Sequence, residues 1–170
     1  LLADKRPVNL VLNNPLSTGT YTLQTSGLKD TLGNTSLIQT VDFQFVKIDT
    51  AVEFDVLLNE IMADPTPGAG LPEVEWLELF NRSSKSIDLA SLRIQDETGT
   101  PVQLPSYILS PGAHIALTAI TNAATLQAAT SGTVIGAAIG TNTLNNDGDI
   151  LTLSNLDGDV IDRVAYNLDW

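Results

Sequence analysis

At 170 residues the chain has room for one large domain, or one domain with part of another, and 43% apolar residues suffice for a packed core. The absence of cysteine excludes thiol catalysis, Cys-zinc sites and a disulfide framework, and no run approaches the ~18 consecutive apolar residues of a membrane-spanning helix. The net charge of −12 is unevenly placed: Lys5, Arg6, Lys29 and Lys47 balance Asp4, Asp30, Asp42 and Asp49, and all the excess acid falls after residue 50. A phosphate polymer or an anionic membrane surface would be repelled by that field, so no nucleic-acid partner and no membrane partner is expected.

Before residue 50 the pattern is of short alternating runs between turn residues. Val8–Leu12 is a candidate strand stopped by Asn13-Asn14-Pro15. Thr20–Thr25 is a second, with Tyr21 and Leu23 on one face, and Val41–Val46 a third, with Val41, Phe43 and Phe45 inward. The polar stretch from Gly27 to Asn34 turns the chain between the last two. Three strands cannot close a sandwich, which takes about seven strands and ~100 residues. Residues 1–48 are therefore expected to be part of a β-sandwich that borrows strands from elsewhere, including through strand-mediated self-association. The opening Leu1-Leu2-Ala3-Asp4 and the closing Asp169-Trp170 add the expectation of a longer parent chain.

Residues 49–53 read as a linker, and a second all-β unit is expected over 54–170. Its candidate strands are 55–62, 74–80, 86–94, 101–103, 106–109, 113–118, 133–135, 149–154 and 160–166. Asp157-Gly158 is a two-residue hairpin signal between the last two. Residues 121–129 supply the one helical segment, with Thr121 or Asn122 as N-cap.

Six stretches in order give the second unit a family likeness. They are Leu58-Asn59-Glu60-Ile61-Met62-Ala63-Asp64-Pro65, Glu75-Trp76-Leu77-Glu78-Leu79-Phe80-Asn81, Ile87-Asp88-Leu89, Leu109-Ser110-Pro111-Gly112, Leu144–Asp149 and Asp157–Asp162. Together they resemble the lamin tail domain, an immunoglobulin-like β-sandwich, in its bacterial branch. Residues 1–48 resemble the end of a bacterial Ig-like surface domain, through the turn Gly27-Leu28-Lys29-Asp30 and Gly33-Asn34. The resemblance implies a structural or binding module without an active site of its own, set in a large exported protein. Its partners would be other domains of that protein or components of the cell envelope.

The residues with chemical potential are few. His114 is the only histidine, and alternation turns it outward, opposite Ile115 and Leu117. No G-x-S-x-G accompanies it, and one histidine without cysteine does not make a zinc site. Glu60 and Glu78 become neighbours if strands 55–62 and 74–80 pair, and with Asp64 and Glu75 they would gather carboxylates near one end of the sheet. Such a set is the candidate calcium site of an alternative reading, a calcium-dependent binding module. Paired carboxylates also suit a carbohydrate-directed activity, the second alternative. The leading expectation is structural: these acids are solvated or paired with Arg82, Arg93 or Arg163.

The turns Asn145–Asp149 and Asn155–Asp159 resemble calcium loops, but their spacing misses the EF-hand pattern at the glycine and bidentate positions, which favours plain tight turns. Trp76 is expected in the core, and Trp170 is a second aromatic of unread surroundings. Asp30-Thr31-Leu32 and Asp49-Thr50-Ala51 resemble bacterial O-glycosylation triplets at Thr31 and Thr50. The whole reads as a non-catalytic, extracellular or cell-surface module with no required cofactor.

Overall fold

The structure is a computed structural model describing residues 9–68, 70–139 and 144–167. It divides into two units, Leu1–Lys47 and Ile48–Trp170. In the first, strands β1 (Gly19–Thr25) and β2 (Gln39–Phe45) pair antiparallel, from Gly19 against Phe45 to Thr25 against Gln39. Thr22 donates to Asp42 across the ladder at 2.6 Å, and the Tyr21 and Phe43 rings stack with centroids 5.8 Å apart. Between the strands, Asp30 accepts from the backbone of Leu32 and Asn34 and from the Asn34 amide. The bonds to Asn34 lead in holding its carboxyl below the usual range.

Two expectations for this unit fail. Residues 9–12 form no strand, and Leu10, Val11 and Leu12 are 62%, 92% and 57% exposed; alternation without a partner ladder does not make a strand. Val8 lies outside the described residues. Val41 and Phe43, expected inward, remain exposed, because a two-stranded sheet has no second layer to cover its apolar face.

The second unit has its own core. Its strands are β3 (Val56–Met62), β4 (Trp76–Asn81), β5 (Ile87–Asp88), β6 (Leu92–Gln95), β7 (Val102–Gln103), β8 (Ile108–Leu109), β9 (His114–Ala119), β10 (Val134–Ala137), β11 (Gly148–Asn155) and β12 (Val160–Asn167). A short helix, α1 (Ala123–Ala129), connects β9 to β10, which run parallel. The sheets are β10-β9-β4-β3 and β12-β11-β6-β7, with the small pair β5-β8 beside them.

Alternation explains the layering. Leu77 and Leu79 of β4 and Ile115 and Leu117 of β9 point inward from the first sheet. Leu92 and Ile94 of β6, Leu151 and Leu153 of β11 and Ile161 of β12 meet them in one cluster. Fully burying each such side chain contributes about 1.5–3 kcal/mol. On the outer side of the first sheet α1 lays Leu126 down, and Gly136 of β10 permits the approach: a Cβ there would lie 2.9 Å from the Ile120 Cα. Asn122 occupies the N-cap of α1 without a side-chain capping bond.

The expected strand 86–94 is instead two short strands joined by a 3-10 turn, Leu89–Ser91. Asp88 causes the break. Its carboxylate accepts from the Ala90 and Tyr107 backbone, winding the chain at the point where a ladder would continue. The segment read as a linker is held to this unit: Asp49 N donates to Ser86 O at 2.9 Å, and Ala51 is 3% exposed within the core.

Candidate functional site

Several residues of the six family-like stretches hold the fold. Asn81 is fully buried at the end of β4, donating through Nδ2 to Lys85 O and Leu109 O, both at 2.8 Å. Its Oδ1 accepts from the backbone and hydroxyl of Ser83. Ser110-Pro111-Gly112-Ala113 closes the neighbouring turn, with Gly112 at φ 71° and Ala113 N donating to Ser110 O. Asp162, 8% exposed on β12, accepts from Leu58 N at 2.7 Å and so ties the edge of one sheet to the other.

The two acidic turns behave likewise. Asp149 accepts from Asn145 Nδ2 and Ile150 N, and Asn155 Oδ1 accepts from Asp157 N and Asp159 N. Asp149 also accepts from Glu97 N at 3.3 Å, so these oxygens hold turns and tie them to neighbouring backbone.

What remains for a surface lies on the outer side of the first sheet. A bulge at Asn59 decides its make-up. Leu58 pairs with Leu79, but the next pair is Glu60 with Glu78, followed by Ile61 with Leu77 and Met62 with Trp76. The extra residue shifts the inward set from Val56 and Leu58 to Ile61 and Ala63. Glu60 and Met62 therefore face outward beside Glu78 and Trp76. Asn59 Nδ2 donates to Glu78 Oε1 at 2.8 Å, and no Lys or Arg forms an ion pair with Glu60 or Glu78 among the described residues.

Further along the same face the Phe80 and His114 rings stack, centroids 4.4 Å apart, with His114 exposed as expected. Trp76 corrects the expectation of core packing. It sits half-buried on the outer face, its Nε1 covered and without a hydrogen-bond partner, while Leu77 fills the core position next to it. Trp170 lies outside the described residues.

Two hollows share Glu60, Leu71 and Trp76. One, of about 170 Å³, adds Glu78, Ala116, Leu126 and Thr130. The other, of about 530 Å³, passes over the β3 edge to Val164. A separate pocket of about 300 Å³ at the end of the sandwich is lined by Asp64, Glu73, Glu75, Asn122, Ile139 and Leu144, among others. The four carboxylates singled out in the sequence are thus divided: Glu60 and Glu78 share a sheet face, whereas Asp64 and Glu75 line the end pocket. Among the described residues no three His, Cys, Asp or Glu side chains gather closely enough to hold a metal ion. Arg82, expected as a partner for one of them, lies over the Phe54 ring at 5.9 Å.

Electrostatics at this end follow from burial. Desolvation raises Glu75, and Tyr166, which donates to Asn145 O at 3.1 Å, is pushed up to about 12 by burial and then by the Asp149 charge. The Tyr166 phenol ionises first in the unfolded chain, so its stabilising share is whole below pH ~10 and lost as pH rises toward 12. Alkaline unfolding curves should steepen over that window, and Tyr166→Phe should flatten them.

A sandwich of two four-stranded antiparallel-rich sheets, with a solid aliphatic core and its polar groups at turns and rims, defines an immunoglobulin-like module. A family model of the lamin tail domain matches residues 50–168. The chain belongs to the lamin tail domain family, a family of Ig-like structural domains rather than of enzymes. No curated protein matches the chain.

Proposed function

We propose that this chain is a non-catalytic interaction and tethering module of an exported bacterial protein, holding partner domains or envelope components at the cell surface. One observation carries the reading. The sandwich's carboxylates at Asp55, Asp88, Asp149 and Asp162 accept from backbone N–H groups, while Trp76, Glu60 and Glu78 stand on an accessible face. Glu60 and Glu78 stand opposite each other on that face, and Asn59 Nδ2 donates to Glu78.

The test is saturable binding of the full chain to solubilised envelope fractions, measured by interferometry against a Trp76→Ala variant of unchanged circular dichroism. Binding lost in the variant supports the module. Turnover of glycoside or phosphoester substrates by the full chain would overturn it. Calcium titration by calorimetry addresses the alternative; saturable heat at millimolar calcium would favour a calcium-dependent module.

A second reading concerns the first unit. Leu32 and Leu37 are 87% and 82% exposed beside the two-stranded sheet, more apolar surface than such a hairpin can hold folded unaided. We infer that further strands complete it, from the parent protein or a second copy. Amides of β1 and β2 should then exchange with deuterium far faster than those of β4, β9 and β11 in the isolated chain. Equal protection, including in a 1–50 peptide, would remove this reading. Thr31 and Thr50 are both exposed, and O-glycosylation there would suit an exported protein.

A further inference from the structure

We propose that the hollow walled by Trp76, Leu71, Leu126 and the Glu60–Glu78 pair receives a lysine or arginine side chain from an extended basic segment of a partner protein. This rests on the interaction-module reading and specifies the partner's chemistry.

Four features converge on a cation with an apolar stem. The first is the orientation of Trp76. Its only heteroatom is the covered one, so the side chain presents carbon to the hollow. Such a ring donates no hydrogen bond to the hollow, and a cation seated over its face would be attracted. Secondly, the Asn59 bulge sets Glu60 directly opposite Glu78, a like-charge cross-strand pair that is unfavourable until a cation joins it. Asn59 neutralises none of that charge, since it only donates one hydrogen bond to Glu78.

Thirdly, Leu71, Ala116 and Leu126 line the same hollow and would cover the methylenes of a long side chain whose head reaches the carboxylates. At about 170 Å³ the hollow suits one side chain, and the adjoining hollow of about 530 Å³, which shares Glu60, Leu71 and Trp76, has room for the segment that carries it. Lastly, residues beyond 50 hold all twelve excess negative charges, a field that draws basic segments in and repels a second copy of this unit.

The experiment uses the full chain carrying Trp170→Phe, which leaves Trp76 as the single tryptophan. The probe is a fluorescein-labelled dodecapeptide of alternating Lys and Thr, followed by anisotropy and by Trp76 emission. Saturable binding with a change in Trp76 emission is expected. Glu60→Gln/Glu78→Gln should weaken binding about tenfold, and an acetyl-lysine version of the peptide should not bind. Glu53→Gln/Asp147→Asn removes the same charge from exposed positions elsewhere and should change affinity less than about twofold.

Equal losses in the two double variants would reduce the effect to bulk charge and overturn the proposal. So would binding without any response of Trp76. Trp76→Ala is read alongside, but the surface glutamines keep the test decisive should that variant misfold. If the basic peptide fails while an envelope polysaccharide binds in a Trp76-dependent way, the cationic ligand is wrong and the interaction module stands. If neither binds, both fall.

Discussion

Asn81→Ala should lower the stability of the second unit by about 3–5 kcal/mol, among the largest effects expected of any single substitution here. The amide is fully buried and makes four hydrogen bonds, to Lys85 O, Leu109 O, Ser83 N and Ser83 Oγ. Alanine removes those bonds, leaving Leu109 O unpaired in the interior and Lys85 O and Ser83 N unpaired in part-buried positions. Each neutral bond is worth about 1 kcal/mol net, and each orphaned buried group costs about 1–3. Asn81→Asp is the sharper comparison. It retains the acceptor toward Ser83 but turns a charged oxygen on the Lys85 and Leu109 carbonyls, so it should be no milder than alanine. Urea unfolding would show the midpoint falling at constant m-value. A loss under about 1 kcal/mol would mean that the loop after β4 repacks around the gap.

Asp162→Ala should cost about 2–4 kcal/mol. This carboxylate accepts from Leu58 N at 2.7 Å and from its neighbour Arg163 N at 2.9 Å. Strand β3 is an edge of its sheet, so Leu58 N has no ladder partner on that side, and alanine would leave it buried and unpaired. Asparagine is expected to fall between: it can accept from one of the two N–H groups but presents its own amide to the other. Amide exchange at Leu58 should accelerate in both variants, more in Ala than in Asn. Unchanged protection there would place the seam's strength in packing alone.

How much of this was legible follows from where period two survives. In β4 and β9 it does, so the inward Leu77, Leu79, Ile115 and Leu117 and the outward His114 can be read from the letters alone. In β3 it breaks, because Asn59 inserts one residue without altering the composition around it. The pairing of Glu60 with Glu78 was foreseeable; the parting of Asp64 and Glu75 from them was not. That separation depends on where the chain leaves β3 and enters β4 in three dimensions. Size points Trp76 inward, as a large aromatic in an apolar run, yet its parity agrees with Glu78 and Phe80, and parity decides.

The structural weight of Asn81, Asp88 and Asp162 was hidden for a different reason. Each serves backbone groups brought near by folding, and only their place within the family-like stretches hints at it. In the first unit, Val41 and Phe43 show the limit of pattern reading, since alternation states which face is apolar but not whether anything covers it.

The seam at Asp162 also has a mechanical side. Phe54 N donates to Ile161 O, Leu58 N to Asp162, and farther on Ile61 and Met62 share a hollow with Tyr166 and Asn167. Strands β3 and β12 thus advance in the same direction along their contact. Pulling on the polypeptide from both sides of the sandwich would slide one strand past the other and strain these contacts together, where a hairpin would peel open bond by bond. A module loaded along its own chain would resist rupture best in that geometry, and single-molecule stretching should find Asp162→Ala yielding at lower force.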